Sequence, residues 1–286
     1  RAQRHTSSPL ARSVDPLASE RWPRPPAPRI LTIANQKGGV GKTTTAINLA
    51  TGLAATGLRV LLVDLDPQGN ATMGSGVDKG QLRHSVYHVL VDGMDPAAVR
   101  CRGEGVAFDV LPANRDLAAA EVELVDAGQR ESRLRTALAS IAGEYDCILI
   151  DCPPALNLLT LNGLVAATGA IIPMQCEYYA LEGLSDLVTT LRKLRVALNP
   201  AIDIVGLVRT MYDARSTLAQ QVSAELAQHF PGKLFETVIP RNIRLAEAPS
   251  YGLPVLAYDR RAKGTKAYLA LADELLARLD AMAVTA

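Results

Sequence analysis

The chain has 286 residues, 48% of them hydrophobic and 21% charged. That is enough apolar side chain to bury a large core and excludes extended disorder over most of the length. Lys plus Arg number 30 and Asp plus Glu 29, a net charge of +1, which excludes a generally polybasic nucleic-acid binder and leaves only a local patch for such a contact; with aromatics at 4%, an aromatic-platform RNA reader is disfavoured.

Residues 1–29 hold six Pro, six Arg and two acids with no periodic apolar pattern, and are expected to form a disordered leader of net charge about +4. From Ile30 onward short β-rich runs alternate with helical ones, predicting one domain over 30–286. Strands are predicted at Ile30–Asn35, Arg59–Asp64, Val106–Leu111, Cys147–Asp151, Gly169–Pro173, Ile202–Thr210 and Leu234–Ile239. Their apolar runs are mostly continuous, as in strands covered on both faces. Helices are predicted at Lys42–Thr56, Arg115–Val125, Glu131–Ile141, Leu156–Ala167, Glu182–Leu198, Thr217–His229 and Thr265–Ala283. The last carries a core-facing stripe of Tyr268, Leu269, Leu271, Leu275, Leu276, Leu279 and Met282. This alternation implies right-handed crossovers and an α/β fold, a mainly parallel twisted sheet with helices on both faces.

Two segments invite other readings. No charge occurs from Cys152 to Cys176, but Pro153, Pro154, Asn157, Asn162, Gly163, Gly169 and Pro173 interrupt the stretch, so a buried helix and strand are expected rather than a membrane span. Cys101, Cys147, Cys152 and Cys176 have no CxxC spacing and no clustered His. Buried reduced thiols and a cytoplasmic location are expected of them, not a disulfide scaffold or zinc ribbon.

The first strand runs into Asn35-Gln36-Lys37-Gly38-Gly39-Val40-Gly41-Lys42-Thr43-Thr44. The phosphate-loop pattern is G-x-x-x-x-G-K-[ST], and Gln36 fills its first glycine position. The mechanics survive that change. Gly38, Gly39 and Gly41 open backbone conformations closed to other residues, so the N–H groups of Gly38, Gly39, Val40, Gly41, Lys42, Thr43 and Thr44 can line an anion nest. The helix N-terminus adds partial positive charge. Lys42 would reach the β- and γ-phosphates, and the Thr43 hydroxyl would ligate Mg²⁺. A strand-to-helix P-loop NTPase fold is therefore expected. Acids sit at two strand ends: Asp64 and Asp66 after Val60–Val63, and Asp151 after Ile148–Ile150. In an open α/β sheet, ligands lie beyond these carboxyl ends.

Lys37, five residues before Lys42, makes the chain resemble the deviant Walker A ATPases, with their K-G-G-x-x-K-[ST] loop. Longer strings narrow the resemblance to the ParA/Soj chromosome-partitioning ATPases. They are Val63-Asp64-Leu65-Asp66-Pro67-Gln68-Gly69-Asn70-Ala71-Thr72, Gln175-Cys176-Glu177-Tyr178-Tyr179-Ala180-Leu181-Glu182-Gly183, Thr210-Met211-Tyr212-Asp213-Ala214-Arg215, and the run from Ile239 to Ser250. The resemblance covers nearly the whole chain from Ile30. It implies an ATP-dependent homodimer that binds double-stranded DNA without sequence preference, occupies the nucleoid, and is released when a ParB-type partner stimulates hydrolysis. It also implies that Lys37 acts across the dimer on the partner's nucleotide, that Asp66 handles the attacking water, and that Asp151 holds Mg²⁺ through water with support from Asp64. Pro240 and Asn242 would border the adenine, and Arg215 and Arg244 would contact the DNA backbone. No guanine-reading Asn-Lys-x-Asp string occurs, so ATP and ADP are the expected nucleotides.

Rivals share parts of this pattern. A MinD-like membrane ATPase would end in a basic amphipathic helix. Residues 270–286 instead carry Arg278 against Asp273, Glu274 and Asp280 with no aromatic, so no membrane partner is expected. The iron-protein reductases need cluster cysteines in glycine-rich loops, which these four lack. A ParA-like ATPase that segregates a plasmid or positions another cargo shares every motif and stays open.

Overall fold

The computed structural model describes residues 22–285. Among these residues seven strands occur: β1 (Arg29–Ile33), β2 (Val60–Asp64), β3 (Asp109–Leu111), β4 (Cys147–Asp151), β5 (Gly169–Met174), β6 (Asp203–Tyr212) and β7 (Leu234–Pro240). They form one parallel sheet in the order β3-β2-β4-β1-β5-β6-β7. The helices are α1 (Lys42–Ala55), α2 (Asn70–Gly74), α3 (Val86–Leu90), α4 (Pro96–Val99), α5 (Ala120–Glu123), α6 (Arg133–Ala139), α7 (Leu158–Ala166), α8 (Ala180–Ala197), α9 (Thr217–His229), α10 (Ile243–Glu247), α11 (Val255–Tyr258) and α12 (Lys263–Thr285).

The strands are apolar at successive positions because each face of the sheet has its own core. In β2, Leu61 and Val63 join one core while Val60 and Leu62 join the other; in β4, Ile148 and Ile150 oppose Cys147 and Leu149. This is the period of two, with both faces covered. Helices α3, α6, α7, α8 and α9 cover the first face. Helices α1 and α12 cover the second, where α12 buries Tyr268, Leu271, Ala272, Leu275 and Leu276. A fully buried leucine contributes roughly 1.5–3 kcal/mol by area. Arg278 adds an anchor: its guanidinium lies 4.1 Å over the Phe235 ring and donates to the carbonyls of Val205, Lys233 and Leu234. The expected core role of the last helix is borne out.

Three differences from the sequence reading have local causes. Of the expected leader, residues 1–21 lie outside the described residues. Trp22 packs against the second core, and Arg29 already belongs to β1, its guanidinium paired with Asp280. The helix expected over 115–125 is a 3-10 turn, Arg115–Ala119, followed by α5. Gly128 and a left-handed Gln129 (φ 56°) then redirect the chain. Of the four cysteines, Cys101 is only half-buried; all four are free thiols.

β1 lies between β4 and β5, whereas its own crossover α1 leads to β2 on the far side of β4. The loop leaving β1 therefore emerges where the strand order reverses, the place at which open α/β sheets bind ligands.

Candidate functional site

The loop after β1 is built by hydrogen bonds to neighbouring strand ends. Asn35, nearly buried, donates through Nδ2 to the Pro173 carbonyl at 2.8 Å and accepts at Oδ1 from the Lys37 N–H at 3.0 Å. Gly39 and Gly41 take φ of +73° and +85°, a left-handed backbone that favours glycine. Gly41 caps α1 and accepts from the Thr45 N–H at 2.9 Å. Among the described residues, no acceptor faces the backbone N–H groups from Gly38 to Thr44. Buried or crowded N–H groups are nearly always paired. A continuous run of open donors at a helix N-terminus is the signature of an anion cradle.

Lys42 opens α1 and is almost buried, its Nζ donating to the Lys37 carbonyl at 3.0 Å. Burial lowers its pKa, while the charges of Asp151, Cys152 and Asp66 raise it. Lys37 points the other way. Its ammonium is exposed and pairs with Glu177 at 2.6 Å.

Asp64 and Asp151 end β2 and β4 in direct register and are both fully buried. Asp64 is held by three donors: the Asp66 N–H at 3.0 Å, the Thr72 N–H at 2.8 Å and the Thr72 hydroxyl at 2.7 Å. Burial nevertheless pushes it up to about 6, against those bonds. Thr72 in turn accepts the Ala113 N–H at 2.9 Å, tying β3 into the site. The turn between Asp66 and Asn70 passes close to that strand. A Cβ on Gly69, which has φ +63°, would stand 2.7 Å from the Ala113 carbonyl oxygen. Asp151 accepts from the Thr43 hydroxyl at 2.8 Å through Oδ2, while its Oδ1 is buried without a partner. Burial first, then the Asp64 charge, raises Asp151 well above the ordinary aspartate range. Asp66 is half-buried and accepts the Gln68 N–H at 2.9 Å.

A hydroxyl and a carboxylate with a bare buried oxygen form an all-oxygen donor set, the chemistry that suits Mg²⁺. Among the described residues no group of three or more His, Cys, Asp or Glu could hold a metal alone.

The other expected site residues lie at the adjoining strand ends. Pro240 closes β7 opposite Tyr212, and Asn242 caps α10 by accepting the Arg244 N–H at 2.9 Å. Arg215 stands 90% exposed and is doubly bonded to Asp213. Arg244 pairs with Glu247 at 2.8 Å and Asp259 at 3.4 Å. Among the described residues, no hydrogen bond joins these four to the glycine-rich loop. The sequence reading gave no role to Asn35, Thr72, Glu177 or Thr210, which together fix the loop and the acids. All four lie within the strings quoted above, but only the folded chain shows whom they touch.

A loop of open amides backed by Lys42, beside buried strand-end acids at the switch point of a parallel sheet, defines a phosphate-loop nucleoside triphosphatase. A family profile described as an AAA domain matches residues 28–204. The chromosome partitioning protein ParA of Caulobacter vibrioides is 50% identical over 252 residues, covering 87% of this chain and 94% of that protein. The sporulation initiation inhibitor protein Soj of Bacillus subtilis is 51% identical over 249 residues, covering 87% and 98%. In fold, cobyrinic acid a,c-diamide synthase from Mycobacterium smegmatis, solved with bound ADP and magnesium, matches with a TM-score of 0.78 at 39% identity, covering 88% and 96%. The chain belongs to the ParA/Soj family of chromosome-partitioning ATPases.

Proposed function

We propose that this chain is a magnesium-dependent ATPase that dimerises on ATP, grips double-stranded DNA only as the dimer, and is reset by hydrolysis that a ParB-type partner stimulates. One observation carries the reading of the site: the open N–H groups from Gly38 to Thr44 lie beside an Asp151 oxygen that has no protein partner.

Bound magnesium and ATP would supply the scissile phosphoanhydride and a divalent charge on its oxygens. The chain's own residues divide the remaining work. The loop N–H groups and Lys42 hold the phosphates, and Thr43 with Asp151 holds the metal. Asp66 orients the attacking water and accepts its proton. Asp64, with three donors on its two oxygens, serves the metal shell indirectly and fixes the segment that presents Asp66. Lys37 acts on the partner subunit's nucleotide. Its pair with Glu177 is exposed, and such pairs contribute only about 0–1 kcal/mol, so releasing it costs little. Pro240 and Asn242 border the base.

Arg215 and Arg244 supply the duplex contact, doubled in the dimer. The location that follows is cytoplasmic and nucleoid-associated. A membrane partner has less support, because the apolar stripe of α12 is largely spent on the core. Segregation of a chromosome is the favoured task, with a plasmid or another cargo as the alternative.

Gel filtration of the Asp66→Ala variant with ATP, with ADP and without nucleotide, each with and without a non-specific duplex, is the test. A dimer only in ATP, co-eluting with duplex only then, is the expected result. A chain that stays monomeric in saturating ATP, or holds duplex equally well when empty, rejects the reading.

A further inference from the structure

One anchor of the glycine-rich loop comes from β6, outside the loop's own motif. Thr210 stands near the C-terminal end of β6, two strands from β1, and its hydroxyl donates to the Val40 carbonyl at 2.7 Å. Thr210 is 2% exposed. Side chains alternate along this part of β6: Leu207 joins one core and Val208 the other. Thr210 therefore shares the face of Val208, toward α1. Valine has the same branched shape and would suit such a position. A hydroxyl buried there is costly unless it is bonded, and its bond goes to the loop.

The consequence follows from peptide geometry. The Val40–Gly41 peptide is planar and trans, so its carbonyl and its N–H point in opposite directions. Turning the Val40 carbonyl onto β6 turns the Gly41 N–H away from β6, among the open donors of the loop. Glycine at 41 leaves this peptide free to rotate, because no side chain opposes it. Thr210 removes that freedom from outside. The two residues are also in contact range: a Cβ on Gly41 would lie 3.7 Å from the Thr210 methyl carbon.

Thr210 is itself held in place. The next residue, Met211, adopts φ +48°, a left-handed backbone that a long side chain takes only when its surroundings impose it. Its sulfur accepts from Gln175 Nε2 at 2.9 Å. Gln175 follows β5, whose Pro173 carbonyl accepts from Asn35. The ends of β1, β5 and β6 are thereby tied into one frame around the loop.

We infer that Thr210 is a positioning residue of the nucleotide site, its hydroxyl orienting the Val40–Gly41 peptide so that the Gly41 N–H meets an oxygen of a bound nucleoside polyphosphate. This role rests on the reading of Gly38–Thr44 as a phosphate loop.

Calorimetric titration of wild type, Thr210→Val, Thr210→Ser and Thr210→Ala with magnesium ADP and magnesium ATP tests it, with kcat and KM for ATP measured alongside. Thr210→Val and Thr210→Ala are expected to bind both nucleotides about tenfold more weakly, or about 1.4 kcal/mol. KM rises with kcat little changed, since a contact common to ground and transition states is lost. Thr210→Ser, which keeps the hydroxyl, stays within about twofold of wild type. Thr210→Val binding as tightly as wild type shows the hydroxyl idle and overturns the assignment. Thr210→Ser binding as weakly as Thr210→Ala overturns it too, because methyl packing would then be the cause. Absence of ADP binding in wild type is a different failure, that of the phosphate-loop reading itself.

Discussion

Asp64 and Asp151 face each other across neighbouring parallel strands, yet their carboxylates are served unequally. Asp64 receives three protein donors, whereas Asp151 receives one and keeps a bare buried oxygen. Two buried carboxylates side by side repel, and removal from water penalises each charge. Without a cation, then, Asp151 is a local liability that serves the site rather than the fold.

Replacing Asp151 by Asn should therefore stabilise the nucleotide-free chain. Relief equivalent to one pKa unit is about 1.4 kcal/mol, and each kcal/mol moves the melting temperature by about 2–4 °C in a domain of this size. A gain of roughly 3–6 °C is expected, together with loss of the extra stabilisation that magnesium gives on top of ADP. Asp64→Asn should instead lower stability, since Thr72 and the Asp66 turn lose their charged acceptor. Thermal melts of the two variants with and without magnesium ADP measure both effects.

Position 38 should distinguish the isolated chain from the proposed dimer. A Cβ built there meets nothing within 4 Å, and its φ lies outside the left-handed region. Gly38→Val should leave the isolated chain folded and binding some ATP, with a melting temperature within about 2 °C of wild type. In the proposed dimer the same side chain would crowd the facing subunit. Lys37→Ala should behave alike, because its exposed pair with Glu177 contributes little to stability. Sedimentation velocity in the Asp66→Ala background should show no ATP-dependent dimer for either variant. A normal dimer from Gly38→Val would remove position 38 from the interface.

How much of this could be read from the residues follows from the range of each interaction. The strands were legible because those covered on both faces carry mostly continuous apolar runs, clearest in Val60–Val63 and Ile148–Ile150 and weakest in β7, where Glu236 and Thr237 interrupt. The loop from Lys37 to Thr44 was legible because its chemistry lies within eight consecutive residues. Helices of four or five residues, such as α3 and α10, complete little more than one turn, too little for a 3.6-residue period to show. They are set by caps instead: Ser85 with His88 for α3, and Asn242 for α10. The pairing of Lys37 with Glu177 and the hold of Thr72 on Asp64 depend on which strand ends become neighbours, so no local pattern announces them.

The expected DNA contacts carry their own counter-ions. Arg215 donates to both oxygens of Asp213, at 3.0 and 2.9 Å, and holds that carboxyl down to about 2. A phosphate must compete with Asp213 for the same guanidinium. Asp213→Asn should therefore raise the affinity of the ATP dimer for a non-specific duplex about threefold to fivefold. Arg215→Glu should lower it more than tenfold. Each lost phosphate contact reduces the log–log salt slope by about 0.9, and two copies of Arg215 in a dimer double that to about 1.8. Fluorescence anisotropy with a labelled duplex across a salt series reads both numbers. An unchanged slope in Arg215→Glu would place the contact elsewhere.

Asp146, remote from the site, sets part of the acid limit of the fold. It is 2% exposed and accepts from the Arg59 backbone N–H at 2.8 Å and from the Arg59 guanidinium at 2.7 and 3.2 Å. Burial alone would raise its pKa, but the Arg59 bonds and charge outweigh that and leave it below the ordinary aspartate value. A carboxyl whose folded pKa is depressed stabilises the fold above its unfolded pKa, and that contribution is lost as pH falls through the folded value. Asp146→Asn should cost about 1–3 kcal/mol at pH 7, the scale of hydrogen bonds to a charged group. The variant should approach wild type only as pH falls below the ordinary aspartate range and through the depressed folded value, where both chains carry a neutral side chain. Urea unfolding at pH 7 and at successive steps down to pH 3 tests this; a stability gap that stays constant across the series would show that packing, not the charge, makes the contribution.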